Sequence, residues 1–289
     1  MAAAEASTDR IRHYLGAWSA VSVLQFFAAE AATIAGWRGP APYSRRLNFI
    51  SDLGQVSCGL HGTREICSPL HALMDVSFVL QGVGMVIAAL LITSAVLRVA
   101  AQDRAVLAQA RLSRALVARA PRTARPSRAA GRARTTPAAA ARGSLAAAIR
   151  SGHPAVAVPW AATLAVRILL GLAGTGVAVV GLVPQDSIEA VHLVAAGAYF
   201  VGGSLALVVL GLLWIGRSAA AWPVLLCGGA SFVATLVGGA VRLHVPEPGT
   251  LERFMGYPIT VGIALVGAVI AYRLGVPARQ ARALRRVRA

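Results

Sequence analysis

Histidine and carboxylate residues at helical spacing are the part of this sequence that could do chemistry. His71 and Asp75 lie four residues apart, and Glu189 and His192 lie three apart, so each pair shares one face of a helix. Such side chains bind metal ions such as Zn²⁺ and act as general acids or bases. No H-E-x-x-H or G-x-S-x-G motif accompanies them. We expect no metal or other cofactor; if a metal is bound, we predict His71, Asp75 and His192 as its ligands.

The elements that hold these residues are long apolar runs. The chain is 57% hydrophobic and 13% charged, with a mean hydropathy of +0.66, which is outside the range of a soluble domain. A helix of about 20 apolar residues crosses the ~30 Å hydrocarbon core of a bilayer. We therefore predict an all-α, polytopic membrane protein with six transmembrane helices, at Tyr14–Trp37, Leu70–Leu97, Ala161–Val183, Ile188–Ile215, Trp222–Leu243 and Tyr257–Leu274.

A polar segment, YSRRLNFISDLGQVSCGLHGTREICSPLH (43–71), separates the first two runs. An apolar residue at every third position between Ser44 and Gly54 predicts a short interfacial helix. Cys58 and Cys67 favour a structural disulfide, because the orientation argued next places them in an oxidising compartment. Their spacing is not that of a redox-active C-x-x-C pair.

The distribution of basic residues predicts the orientation. All 28 are Arg, and most lie before the first helix, between the second and third, and after the sixth. Cytoplasmic flanks carry the excess of basic residues, so both termini are predicted to be cytoplasmic in a multi-pass protein of the bacterial plasma membrane. The predicted regions are a cytoplasmic N-terminus (1–13), two helices (14–97) with an extracytoplasmic loop (38–69), an Arg/Ala-rich cytoplasmic loop (98–155), four helices (156–274) and a basic tail (275–289).

The Arg/Ala-rich loop (98–155) has too few bulky apolar residues to bury a core and is predicted to be disordered. Each Arg near anionic lipid contributes about 1 kcal/mol of attraction. The loop and the basic tail are therefore expected to bind anionic lipid of the inner leaflet. Nucleic acid is not an expected partner, because no aromatic residues are interleaved for base stacking. The sequence does not indicate an oligomeric state.

With this topology, most ionisable residues near the membrane lie at its outer side. On the fourth helix, one stripe consists of Glu189, His192, Ala196, Tyr199 and Gly203. A charge at the centre of a bilayer is costly, so such residues usually face the bundle interior or water. They predict a polar pocket open to the extracytoplasmic side; the alternative is structural ion pairs in the headgroup zone, such as Glu30 or Asp75 with Arg242. The pocket candidates are Asn48, Ser51, Asp52, His71, Asp75, His192, Arg242, Glu252 and Arg253.

Four blocks of the sequence resemble a known family. YSRRLNFISDLG, CSPLHALMDVSFVLQG, VHLVAAGAYFVGGSLALVVLG and GTLERFMGYP are similar, in this order, to the hallmark blocks of the bacterial domain-of-unknown-function family 998 (DUF 998). The resemblance covers about Leu15–Leu274 without the Arg-rich loop. It implies six-helix membrane proteins, distantly similar to the Frag1/DRAM/Sfk1 group, but no reaction. Ser204 departs from the Asn that the family often has.

Three functions fit these observations. In the first, the protein binds or handles a lipid or small amphiphile in the outer pocket, with Arg45, Arg46 and Arg253 as partners for an anionic headgroup. Alternatively, it is a metal-dependent intramembrane hydrolase, or a proton- or ion-coupled transporter that uses Glu30, Asp75 and His192. No inverted repeat marks a transport site. The first function is preferred, and an enzymatic activity is not expected.

Overall fold

The computed structural model describes residues 2–100 and 158–288. Most of these residues are helical, since backbone polar groups in lipid must be satisfied within each segment. The described helices are α1 (Ala2–Ser22), α2 (Gln25–Ala35), α3 (His71–Leu91), α4 (Ser94–Ala100), α5 (Trp160–Leu182), α6 (Glu189–Trp214), α7 (Ala221–Ala240) and α8 (Pro248–Arg288).

Six helical spans in the described residues are long and apolar enough to cross a membrane, which confirms the prediction of a multi-pass, largely helical protein. Each overlaps one predicted run. The sixth begins at Pro248 rather than at Tyr257, because proline suits the first turn of a helix and the residues after it continue the helix. The spans are TM1 (Ile11–Ala35), TM2 (His71–Leu91), TM3 (Trp160–Leu182), TM4 (Glu189–Trp214), TM5 (Ala221–Ala240) and TM6 (Pro248–Gly275).

The six spans form a closed ring in which each packs against the next and TM6 packs against TM1. Glycines bring the helix backbones close together. A Cβ atom on Gly82 of TM2 would lie 2.4 Å from the carbonyl oxygen of Gly174 on TM3, and one on Gly267 of TM6 would lie 2.5 Å from that of Ala17 on TM1. The ring order places TM1 and TM6 side by side although they are far apart in sequence.

The segment between TM1 and TM2 carries a small hairpin. Strands β1 (Gly59–His61) and β2 (Arg64–Ile66) pair antiparallel. A disulfide joins Cys58 to Cys67, as the sequence predicted. We call the end of the ring that carries this segment the hairpin end.

The predicted interfacial helix from Ser44 to Gly54 is wrong in its extent. Regular structure here is limited to a single 3₁₀ turn, Ser51–Gly54. The side chain of Asn48 accepts a hydrogen bond from the Ser44 amide at 3.0 Å, and Asp52 accepts one from the Phe49 amide at 2.9 Å. Such local side-chain bonds to the backbone compete with helix formation.

The Arg/Ala-rich loop predicted over 98–155 lies, from residue 101 onward, outside the described residues. Its predicted disorder therefore stays a prediction. In the tail predicted over 275–289, the helical backbone of α8 continues from the membrane span to Arg288.

Candidate ligand site

A cavity lies inside the ring at the hairpin end, between five of the six spans. The volume open to the centres of water molecules is about 40 Å³, and the whole space between its walls, with the open mouth included, is about 440 Å³. Its walls are mostly apolar or aromatic. The lining residues are Phe26, Ile50, Ser51, Phe78, Gln81, Val177, Val180, His192, Ala196, Tyr199, Phe200, Glu252, Gly256 and Thr260.

Polar side chains reach this cavity at two levels. Ser51, His192 and Glu252 come from the hairpin end of the bundle, which we call the upper level. Tyr199 and Thr260 lie further into the bundle, at what we call the deeper level. Eight residues of TM6 separate Glu252 from Thr260, which corresponds to about 12 Å along a helix. The cavity therefore combines apolar walls with polar groups near the hairpin end of the spans and near their middle.

At the upper level, His192 and Glu252 have fixed orientations. The Nδ1 atom of His192 lies 2.9 Å from the carbonyl oxygen of Val183, so Nδ1 carries the proton and Nε2 is left as the possible acceptor. The carboxylate of Glu252 accepts a hydrogen bond from the amide of Ile50. This bond ties the loop between TM1 and TM2 to the start of TM6, directly beside the cavity.

At the deeper level, Gln81 bridges two helices. Its Nε2 atom donates to the hydroxyl oxygens of Tyr199 at 3.1 Å and of Thr260 at 3.0 Å. Tyr199 in turn donates to the carbonyl oxygen of Gly256 at 3.3 Å. The side chain of Gln81 is only 1% exposed, and within the described residues its Oε1 atom has no hydrogen-bond partner.

Arg253, the residue after Glu252, lies at the centre of a buried cluster. Its Nη2 donates to Glu30 at 3.0 Å and to the Tyr43 hydroxyl, and its Nε donates to the Tyr257 hydroxyl at 3.0 Å. Tyr257 donates to Glu30 at 2.6 Å. The remaining donor, Nη1, bonds to the carbonyl oxygens of Arg45, Asn48 and Gly249. Every nitrogen of the guanidinium group is therefore engaged within the protein.

Tyr43 links this cluster to the loop before the 3₁₀ turn. Its hydroxyl accepts from Arg253 and donates to the carbonyl oxygen of Phe49 at 2.8 Å. Burial raises the pKa of Tyr43 above its usual value, although the nearby Arg253 cation partly counteracts this. The phenol therefore stays protonated and remains a donor.

Two further carboxylates fasten the hairpin segment. Asp52 is fully buried and forms an ion pair with Arg64 at 2.9 Å. Asp186 accepts from the amide and hydroxyl of Ser57 at 2.8 and 2.6 Å, and from the Val56 amide at 3.3 Å. Partial burial alone would raise the pKa of Asp186, but these hydrogen bonds outweigh it and hold the pKa below its usual value.

The alternative of structural ion pairs named Arg242 as the partner of Glu30 or Asp75, and that partner is wrong. Glu30 pairs with Arg253, and Asp75 lies 3.3 Å from His71. Arg242 is exposed at the end of TM5 with a positive φ of 49°. Helical spacing shows which residues share a face, but the pairing of distant helices depends on how they pack.

The structure brings three of the nine predicted pocket residues into the cavity wall: Ser51, His192 and Glu252. The others take different positions. Asn48 and Arg253 belong to the adjoining cluster, Asp52 to its ion pair, and His71 and Asp75 to theirs. A ligand contact by these five residues, or by the exposed Arg242, stays a prediction.

The three predicted metal ligands are not gathered into one group. His192 lies in the cavity wall, whereas His71 and Asp75 pair with each other at the start of TM2. In residues 2–100 and 158–288, no group of three or more His, Cys, Asp or Glu side chains is placed to hold a metal ion.

The sequence interpretation missed Gln81 and Thr260. Gln81 is the one amide within the 21-residue helix α3. Polar residues are costly within a membrane helix, which marks such a residue as a candidate for a functional role. Tyr199 was on the predicted stripe of TM4 but was not named as a site residue, although it lines the same cavity.

Comparison of the chain with protein-family models, with curated proteins and with solved structures gives no match. The resemblance to family 998 therefore stays a prediction.

Proposed function

We propose that this membrane protein binds a lipid or other small amphiphile in the cavity at the hairpin end. The observation that carries the proposal is the shape and chemistry of this space: apolar and aromatic walls lie between membrane helices, with polar groups at two levels. Ligand sites are typically concave, mostly apolar, and provided with a few well-placed polar groups. An amphiphile matches this arrangement, since its chain contacts the walls and its polar groups contact the two levels.

The upper level favours a neutral or cationic polar group on the ligand. Glu252 supplies a carboxyl group there, and Ser51 a hydroxyl group. Arg253 has no free N–H group, and Arg46 pairs with Glu247 on the surface. An anionic headgroup held by Arg46 and Arg253, two of the three arginines in that sequence hypothesis, is therefore not the ligand that we propose; the third, Arg45, is exposed.

The proposed location of the site is the extracytoplasmic side of the bacterial plasma membrane. The excess of Arg in the other flanks supports this orientation. A cysteine in place of Leu60, which is 72% exposed in the hairpin, should react with a membrane-impermeant maleimide in intact cells. Labelling only after the cells are opened would contradict this orientation.

We also propose a second, weaker contact with lipid. The Arg-rich stretches at 98–155 and 275–289 would bind anionic lipid at the cytoplasmic surface. This contact is electrostatic and should weaken as salt screens the charges. Membership of family 998 is likewise a proposal that rests on the four sequence blocks.

Filling the cavity tests the proposed function. Ala196 lines the cavity, whereas a side chain at the next residue, Gly197, would meet no atom within 4 Å. We expect Ala196→Leu to lose the amphiphile that co-purifies with the wild type and Gly197→Leu to retain it. Lipid mass spectrometry of equal amounts of folded protein measures this difference.

The two variants add the same side chain to the same helix, so a general effect on membrane insertion would affect both. Equal amounts of the same bound amphiphile in the wild type and in Ala196→Leu would refute the proposed site. The same holds if no amphiphile binds to the wild type at a defined stoichiometry.

A further inference from the structure

The deeper level of the cavity specifies the ligand more narrowly. We propose that the amphiphile carries a hydroxyl group on its membrane-buried part, and that this hydroxyl donates a hydrogen bond to Oε1 of Gln81. This inference rests on the proposed function, because it assumes that an amphiphile occupies the cavity. It adds the chemical class of the ligand and the residue that selects it.

The unpaired oxygen is the main observation. Buried polar atoms are nearly always hydrogen-bonded, and an unpaired one lowers stability. Gln81 is 1% exposed, and the amide nitrogen of the same side chain has two partners. Because Gln81 forms part of the cavity wall, the missing donor can come from a molecule bound in the cavity.

The depth of Gln81 favours a ligand group over solvent. Ten residues separate it from His71 at the start of TM2, which corresponds to about 15 Å, or half of the ~30 Å hydrocarbon core. Phe26, Phe78 and Phe200 line the same cavity. A mostly apolar molecule packs against these aromatic rings and carries a donor to this depth.

A hydroxyl group fits the neighbouring groups better than other donors do. Gln81, Tyr199 and Thr260 are uncharged, so a buried ammonium group would lack a counter-charge at this level. Turning the Gln81 amide by half a rotation would exchange its oxygen and nitrogen and leave the nitrogen unpaired instead. A hydroxyl group both donates and accepts, so it satisfies Gln81 in either orientation.

Two matched probes test the proposal. Octane-1,8-diol and octan-1-ol have the same chain and differ by one terminal hydroxyl. We expect the wild-type protein in lipid nanodiscs to bind the diol about fivefold more tightly, the size typical of one net hydrogen bond. Titration calorimetry, corrected with empty nanodiscs, measures both affinities.

Variants then assign the selectivity to one residue. Gln81→Met preserves length and should bind both probes equally, with the fivefold preference lost. Ser204→Ala is the control: Ser204 is a buried polar residue of TM4 that bonds to the carbonyl oxygen of Val201 and does not line the cavity. It should keep the preference of the wild type.

The outcomes separate this inference from the proposed function. Saturable binding of both probes with equal affinity to the wild type would leave the amphiphile site standing and overturn the hydroxyl proposal, with a water molecule as the partner of Gln81. Binding of neither probe would refute both. The comparison of the two probes on the wild type tests the hydroxyl proposal even if Gln81→Met fails to fold. A preference for the diol that survives in Gln81→Met overturns the assignment to this residue.

Discussion

Two sets of polar side chains inside the bundle differ in how completely their hydrogen-bonding atoms are paired. Around Arg253, the guanidinium donors, the Glu30 carboxylate and two phenols bond to one another and to backbone carbonyl oxygens. Around Gln81, the amide nitrogen has two partners and the oxygen has none in the described residues. The first group joins TM1, the loop and TM6, whereas the second lies in the wall of a cavity.

Under the proposed function, this difference separates a structural role from a ligand-binding role. A fully bonded polar network stabilises one arrangement of the helices around it. A partly bonded group is costly in the empty protein, and a ligand that supplies the missing partner removes this cost. We infer that the Arg253 cluster holds the cavity in shape and that the Gln81 group contacts what the cavity binds.

The largest expected effect is the loss of Arg253. Arg253→Met leaves the Glu30 carboxylate, which is 2% exposed, without its cation. Removing one partner of a buried ion pair destabilises a protein by about 3–5 kcal/mol. A thermal unfolding scan in nanodiscs should show a large fall in Tm.

Arg46→Met is the matched control, because Arg46 pairs with Glu247 at a surface where its side chain is 74% exposed. We expect no measurable change in Tm from this variant. If Arg253→Met were as stable as Arg46→Met, the Arg253 cluster would not hold the helices together.

The second expected effect is smaller and concerns Gln81. Gln81→Met removes the unpaired oxygen together with the amide nitrogen, while Tyr199 and Thr260 remain 3.2 Å apart and within bonding distance of each other. We expect the free energy of unfolding of the ligand-free protein to change by less than about 1 kcal/mol. A loss as large as that of Arg253→Met would make Gln81 a structural residue and remove the contrast between the two groups.

The smallest expected effect is a pH dependence at the hairpin end. The pKa of Asp186 is lowered in the folded protein, so its contribution to stability is present at neutral pH and is lost as the pH falls through the folded pKa. The residue is partly exposed, so we expect less than about 1 kcal/mol. Hydrogen exchange, corrected for the intrinsic rate at each pH, should show reduced protection of the Ser57 amide in acid.

Asp186→Asn provides the control for this prediction. Its protection at Ser57 should be lower at neutral pH and should not change further in acid. The same acid-dependent loss in Asp186→Asn would assign the effect to another group.

Local patterns in the sequence were sufficient for the helices and for part of the site. Run length identified all six spans, because a membrane helix must cross a hydrocarbon core of fixed thickness with its backbone hydrogen bonds formed internally. The pairing of Cys58 with Cys67 was predicted from their proximity in the chain and from the oxidising compartment expected for their loop. Of the predicted stripe Glu189, His192, Ala196, Tyr199 and Gly203, the middle three residues line the cavity, whereas Glu189 is exposed and Gly203 is not part of the lining.

The remaining features depend on distant contacts that a local pattern does not contain. Glu30 could have met Arg242 or Arg253, and only the packing of TM6 against TM1 selects Arg253. The pairing of Gln81 with Thr260 likewise joins TM2 to TM6 across the ring. The helix expected from Ser44 to Gly54 failed because two side chains bond to the local backbone.

An experimental density map of the protein in lipid nanodiscs tests the central claim most directly. We predict elongated density within the cavity, in contact with Ala196 and within hydrogen-bond distance of Oε1 of Gln81. A cavity that contains only isolated, water-sized density beside Gln81 would contradict the claim that this protein binds an amphiphile there.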